Sequence, residues 1–382
     1  MMPFPLDPKT TEILAANAAA SEAAHELSSA SKTALAEAGL LRLLVPRRAG
    51  GDEAELATAL AAMGAVAEVC PAAGWVMMVS TAHDLVMGGF PEAAQDEVYG
   101  AGPDDVFPGS LATTGELIPA DGGWRLSGKW PFASGAARGG WFLLGTAVRT
   151  QGERPVPYHV VLPATDLRLD DDWRTLGLRG TGSVTVHAED GFVPAHRGMN
   201  TGELFRGESE WQARHPTRLY RTPIVGGLSA HLASVTLGMA RAGFADALDR
   251  TGGQGDRYTG GGKRERAGLQ MRLAEAEAEL RCAALLLADT AAVLKSISEG
   301  EDTPAARGRA KHQAAYVIEL CARAVGRLMA ASGARAAFDG SRLQNAFRDI
   351  NMARSHAMAD HDGAAETRGR LLLGLDPGPF PL

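Results

Sequence analysis

Near the C-terminal end of this 382-residue chain, His356, Asp360, His361 and Asp362 crowd one short stretch. Imidazole and carboxylate groups ligate metals and move protons, and histidine titrates close to physiological pH. A metal centre needs several ligands converging on one point. On a helix His356 and Asp360 share a face, but His361 stands roughly 140° from His356, and the sequence offers no second ligand cluster. No metal site is therefore expected. What remains is proton or hydrogen-bond chemistry at His356, set against the simpler reading of a helical histidine satisfied by a neighbour or by solvent. A second reactive group is Ser134 in Ala133-Ser134-Gly135. Its hydroxyl both donates and accepts, although Ala-Ser-Gly also reads as an ordinary strand-end turn.

Phosphate-binding signatures are absent. The glycine-rich stretch from Thr251 to Gly262 has Tyr258 where a dinucleotide fingerprint needs glycine and Arg264 where a Walker loop needs Ser or Thr. It reads as a connector. The cysteines, Cys70, Cys282 and Cys321, lie in apolar helical stretches without CxxC spacing, so buried free thiols are expected.

Three kinds of sequence texture position these residues. From Thr10 to about Met87 the chain is rich in Ala and Leu, with apolar residues returning every three or four positions, as in the run from Glu55 to Ala67. That period predicts helices, interrupted around Pro46 to Gly51. Between about 105 and 200 the sequence turns to Gly, Pro and short β-type runs such as Trp141 to Val148 and Tyr158 to Leu162. After Pro223 the helical period returns in four segments, roughly 225–250, 264–297, 303–332 and 342–375, of bundle length. The expected architecture is mainly α with a central β domain, divided as 1–104, 105–222 and 223–382.

A net charge of -7 leaves no basic face for nucleic acid, and the cluster Lys263-Arg264-Glu265-Arg266 is short and interrupted by an acid. The start, Met1 to Pro8, lacks a basic, apolar leader, and no stretch runs ~18 apolar residues without a break. The expected setting is the cytoplasm, with no membrane and no nucleic-acid partner.

Helices, sheet, helices is the order found in acyl-CoA dehydrogenases, and local patterns agree with it. Gly122-Gly123-Trp124, Gly128 and Trp130-Pro131-Phe132-Ala133-Ser134-Gly135 resemble the family segment whose strand reaches the flavin's central ring. Trp173 to Ser183, followed by Phe192-Val193-Pro194, is similar to the second β-domain signature, and Gln270-Met271-Arg272-Leu273-Ala274 resembles a bundle helix. The resemblance implies an N-terminal helical domain, a small β-barrel domain and a C-terminal four-helix bundle. In the last helical segment, acyl-CoA dehydrogenases place a catalytic Glu in Tyr-Glu-Gly-Thr after an Arg-Asp pair. Here Arg348-Asp349 is followed by Ile350-Asn351-Met352-Ala353-Arg354-Ser355-His356-Ala357, with Ala357 where that Glu would stand. Alanine cannot accept a proton, so α,β-dehydrogenation loses its base.

His356 together with Ser134 instead resembles the flavin-dependent monooxygenases of this superfamily, which include phenol, steroid-ring and polyketide hydroxylases. The resemblance implies the oxygenase component of a two-component system. A separate NAD(P)H flavin reductase would supply reduced FMN or FAD, which with O2 forms a C4a-hydroperoxide that hydroxylates a small aromatic or polyketide-like substrate. That species survives only among fixed hydrogen-bond partners with water kept away, the role implied for catalytic His356 and Ser134. Trp130, Phe132, Ser134, Arg179, Thr181, Ser183 and Arg257 are the implied flavin contacts, while Trp75 and His83 are implied to face the substrate or else to fill a helical core. The Phe-Gly pair with which dehydrogenases hold the FAD pyrophosphate near Arg257 is absent, which leaves room for FMN or transient reduced flavin. A homotetramer packed through the C-terminal bundles is likewise implied. The rival readings are an N-oxygenase, a dehydrogenase with a relocated base, and a flavin-free helical interaction protein.

Overall fold

The computed structural model describes residues 4–251 and 263–382. Five helices open the chain: α1 (Pro8–Ala24), α2 (Ser29–Glu37), α3 (Leu56–Val69), α4 (Pro71–Met87) and α5 (Glu92–Val98). Local chemistry sets their starts. Asp7 accepts from the Thr10 N–H at 2.9 Å while Pro8, which has no N–H to satisfy, occupies the first turn of α1. α4 is buried almost all the way round, with only Val79 of its segment Ala72 to Met87 partly open, so it runs through the core.

The sheet comprises β1 (Gly109–Ala120), β2 (Gly123–Ala133), β3 (Trp141–Val148), β4 (Val156–Pro163), β5 (Arg168–Leu169), β6 (Val184–Pro194) and β7 (Gly198–Asn200). Their spatial order is β5-β6-β2-β1-β3-β4-β7. All pairings are antiparallel except β1 with β3, and β5 and β7 form the two open edges. The sheet curls over its own core, built from Leu117, Leu126, Trp130, Phe142, Leu144, Val160 and Val186. Trp130 is fully buried there, and its indole N–H donates to the Gly145 carbonyl at 2.6 Å. This corrects its expected place at a cofactor: alternation along β2 turns Trp130 inward, where a large ring fills the curl.

The chain continues through α6 (Thr201–Arg206) and α7 (Glu210–Arg214) into α8 (Ile224–Thr251), α9 (Ala267–Glu299), α10 (Pro304–Ser332), α11 (Arg342–Ala353) and α12 (His361–Leu372). α3 and α8 meet backbone to backbone. A Cβ added at Gly238 would lie 2.2 Å from the Gly64 carbonyl oxygen, so this close contact requires glycine. Among the described residues no helix is long and apolar enough to cross a membrane.

The last segment is not the single helix that the period predicts. It breaks after Ala353, makes one 3-10 turn at Ala357–Ala359 and restarts as α12. Polar side chains hold the break: His356 Nδ1 accepts from the Met358 N–H at 3.1 Å, and Asp360 caps α12 by accepting from the Gly363 N–H at 3.1 Å. Such side-chain bonds compete with a continuing helix. His356 consequently stands on extended backbone, with φ -72° and ψ 139°.

Candidate functional site

The break in the last segment carries His356 to Trp75 of α4. On α4, the buried Trp75 donates its indole N–H to Ser134 Oγ at 3.0 Å. The same indole stands edge-on to the His356 imidazole, with centroids 6.3 Å apart and an interplanar angle of 73°. Behind Ser134 lie two more buried hydroxyls. Ser134 Oγ is 2.6 Å from Ser183 Oγ, Ser183 Oγ is 2.6 Å from Thr181 Oγ1, and Thr181 donates to the Leu178 carbonyl at 2.7 Å. Gly135, in the left-handed region at φ 75°, lets the chain turn off β2 so that its N–H meets the Thr181 carbonyl at 2.8 Å.

His356 is open to solvent, yet the protein around it crowds its ring. Crowding disfavours the charged imidazole and lowers its pKa from the ordinary 6.5. The neutral ring has a defined tautomer. A backbone N–H only donates, so Nδ1, which receives Met358 N–H, is bare and Nε2 carries the proton. The Ser229 hydroxyl on α8 donates to the Met358 carbonyl at 2.9 Å and pins this turn.

α11 also clamps the loop that supplies Thr181 and Ser183. Asp349 Oδ1 accepts from the Leu178 N–H at 2.6 Å, and Arg348 donates to the Leu176 carbonyl at 2.9 Å and to Glu22 of α1 at 2.6 Å. A Cβ at Gly177 would come within 2.4 Å of the Arg348 carbonyl oxygen, so only glycine allows this approach. Leu178 is held at φ 53°, a conformation that costs a residue with a side chain about 1–2 kcal/mol. Burial pushes the Asp349 carboxyl up to about 7 against the Leu178 N–H bond, which lowers it. The structural importance of this clamp is not visible in the sequence, although the Arg-Asp pair marks where it would lie.

The remaining candidates fall at different depths. Phe132, also left-handed at φ 66°, is 64% exposed and stands edge-on to the buried Trp173, with centroids 6.0 Å apart. Trp173 in turn donates to the Leu178 carbonyl at 3.0 Å. Arg179 folds back on the loop, donating Nε–H to the Thr175 carbonyl at 3.0 Å. His83 is buried two turns beyond Trp75, its Nδ1 2.8 Å from the Phe107 carbonyl, and burial lowers its pKa to about 4. Two further buried histidines, His159 and His231, are also lowered to about 4 by burial and keep Nε2 atoms without hydrogen-bond partners. Sequence reasoning passed over both because each sits in an apolar run. Arg257 lies outside the described residues. His361 turns away from His356, its ring 6.0 Å from His312 and 5.9 Å from Tyr316.

Residues 230–361 match the family model "Acyl-CoA dehydrogenase, C-terminal domain". The oxygenase component of an FADH(2)-dependent resorcinol hydroxylase from Rhizobium sp. (strain MTP-10005) is 30% identical over 96% of this chain and 92% of its own. The chain is a flavin-dependent monooxygenase of the acyl-CoA dehydrogenase superfamily. Solved structures share its fold over nearly the whole chain. The 3-HSA hydroxylase from Rhodococcus sp. RHA1 superimposes with TM-score 0.91 at 27% identity, covering 98% of this chain and 96% of that one. XiaF from Streptomyces sp., solved with FADH2 and glycerol, also gives 0.91 at 27% identity, covering 98% and 95%.

The residues of this monooxygenase fit a flavin. Phe132 offers an exposed aromatic shelf braced by Trp173, two residues before the Ser134 hydroxyl, as a flat ring system with polar edges requires. The family's dehydrogenation base is missing from its place in the last helical segment. Ala357 stands where the family Glu would be, and the carboxylate of Asp349 on α11 is bonded to Leu178.

Proposed function

We propose that this oxygenase, served by a separate reductase, hydroxylates a small aromatic substrate carrying a phenolic hydroxyl, with Ser134 and His356 as its catalytic residues. Bound reduced FMN or FAD supplies the electrons and the position at which O2 is activated. The single observation that carries the reading is the convergence of Ser134, Trp75 and His356 from three separate elements.

Neutral His356 presents its Nε2–H to the cleft and stabilises negative charge developing on an oxygen there, without reorganising as the charge forms. Trp75 holds Ser134 from one side and limits water from the other, since its ring closes the wall behind the imidazole. Phe132 supports the flavin, while Arg179, Thr181 and Ser183 shape the loop around it. His83, neutral and deeper on α4, faces the substrate hydroxyl through its second ring nitrogen. The phenolic class is supported by the names of the relatives, which include a resorcinol hydroxylase and the p-hydroxyphenylacetate 3-hydroxylase of Acinetobacter baumannii. We assign the enzyme to the cytoplasm as a homotetramer packed through its C-terminal helices.

The test supplies chemically reduced FMN or FAD, 18O-labelled O2 and a series of mono- and dihydroxybenzenes, and follows product by mass spectrometry. One labelled oxygen per product is expected. Complete conversion of the O2 to hydrogen peroxide with every phenol tried sinks the proposal.

A further inference from the structure

We propose that Thr181 and Ser183 are positioning residues that fix Ser134 as a hydrogen-bond acceptor, so that the site selects reduced over oxidised flavin. The proposal rests on the reading that Ser134 faces the flavin, and it follows from the direction in which three hydroxyl protons must point.

The chain Ser134–Ser183–Thr181–Leu178 is buried throughout, with Ser134 5%, Ser183 4% and Thr181 0% exposed. Its far end is a carbonyl oxygen, which only accepts. At 2.7 Å from the Leu178 oxygen, Thr181 Oγ1 must give its proton to that contact, because two oxygens so close without a proton between them repel. Thr181 then has no proton left for Ser183, so the 2.6 Å contact between them is made by the Ser183 proton. Ser183 in turn has none left for Ser134, and the second 2.6 Å contact takes the Ser134 proton. All three protons therefore run away from the cleft.

The other side of Ser134 is equally defined. Trp75 Nε1–H can only donate, and it occupies one lone pair of Ser134 Oγ. One lone pair remains and no proton. The Leu178 end is itself fixed, since Asp349 holds the Leu178 N–H and Trp173 donates to the same carbonyl. Reversing the chain would leave Thr181 facing an acceptor without a proton.

Flavin chemistry makes this polarity selective. The N5 atom of the central ring is a bare acceptor in oxidised flavin and carries hydrogen in reduced flavin. An acceptor-only Ser134 pairs with N5–H and meets the bare nitrogen lone pair to lone pair. Removing a link frees the Ser134 proton to turn toward the ligand: with Thr181→Val, Ser183 turns its proton to Ser134, and with Ser183→Ala, Ser134 loses its acceptor. Either change favours the oxidised form.

Oxidised and anaerobically reduced FMN and FAD are titrated into the whole protein, following binding by fluorescence and absorbance, with thermal unfolding as a check on folding. The wild type should bind the reduced form more tightly. In Thr181→Val and in Ser183→Ala the ratio of oxidised to reduced dissociation constants should fall about tenfold, through tighter oxidised binding in both and also weaker reduced binding in Thr181→Val, the scale of one hydrogen bond gained or lost. Thr181→Ser, which keeps the hydroxyl, should retain the wild-type ratio. Parallel weakening of both forms, or an unchanged ratio in both variants, overturns the proposal. A wild type that binds neither form overturns the flavin reading itself.

Discussion

Trp75 stands edge-on to His356 at a centroid distance of 6.3 Å, and one core helix thereby touches both polar groups of the site. Its N–H is committed to Ser134 at 3.0 Å. The indole is thus a spacer as well as a wall, since a shift of Trp75 moves the hydroxyl and exposes the imidazole together.

Trp75→Phe keeps an aromatic ring but removes the N–H. Ser134 then loses the indole donor in a buried setting, at a cost of about 1 kcal/mol in stability, and gains rotational freedom. The fraction of consumed O2 released as hydrogen peroxide should rise several-fold while folding persists. A peroxide assay run against product formation reads this, and an unchanged ratio removes Trp75 from the positioning role.

His356 should give the coupling its pH profile. Its pKa is lowered from 6.5 by the protein that crowds its ring, so the ring is neutral at pH 7. Protonation would place a hydrogen on Nδ1, where it collides with the Met358 N–H and opens the turn Ala357–Ala359. Coupling of O2 to product is expected to stay flat above pH 6.5 and to decline as pH falls below it. His356→Gln, which does not titrate, should show lower coupling with no such decline.

Asp349 behaves in the opposite sense. Burial raises its carboxyl from 3.8 to about 7, so between those values the native state holds a proton that the unfolded state has released. Its contribution to stability therefore falls as pH rises through that window. Asp349→Asn retains an oxygen for the Leu178 N–H and removes the titration. Relative to wild type, the variant should gain stability on the order of 4 kcal/mol from pH 4 to pH 8, measured by urea unfolding. A difference independent of pH would show that the carboxyl does not titrate in this range.

Legibility in the sequence followed the range of the interactions. The order of helices, sheet and helices is written in local periodicity, and the absent base at Ala357 is a matter of residue type, so both could be read directly. The break before His361 depends on a contest between backbone hydrogen bonding and the caps His356 and Asp360, and an apolar period that continues across it hides the outcome. Trp130 belonged to a matched segment, yet strand alternation and the curl of the sheet decided that its ring fills the core. The hydroxyl chain joins Ser134, in the turn after β2, to a distant loop held by an aspartate from α11. No spacing rule reaches across such separations.

Of the three buried histidines, His231 provides the last test, because it has no part in the site and its titration should be felt in the fold. His83 and His231 lie close enough for like charges to repel, as do His83 and His159, and burial lowers all three to about 4. For His231, fully buried on α8, Nδ1 lies 2.8 Å from the Gly227 carbonyl, so Nδ1 carries the single proton of the neutral ring. Between pH 6.5 and pH 4 the unfolded state protonates this imidazole and the native state does not. Its contribution to stability is complete above pH 6.5 and is lost as pH falls through that window. His231→Leu, similar in size and unable to titrate, removes the loss. Whatever the variant costs at pH 7.5, its stability relative to wild type should improve by about 3 kcal/mol on lowering the pH to 4, as two urea unfolding series would show. A gap that stays constant, or widens in acid, would mean that His231 is already charged or is reached by water in the native state.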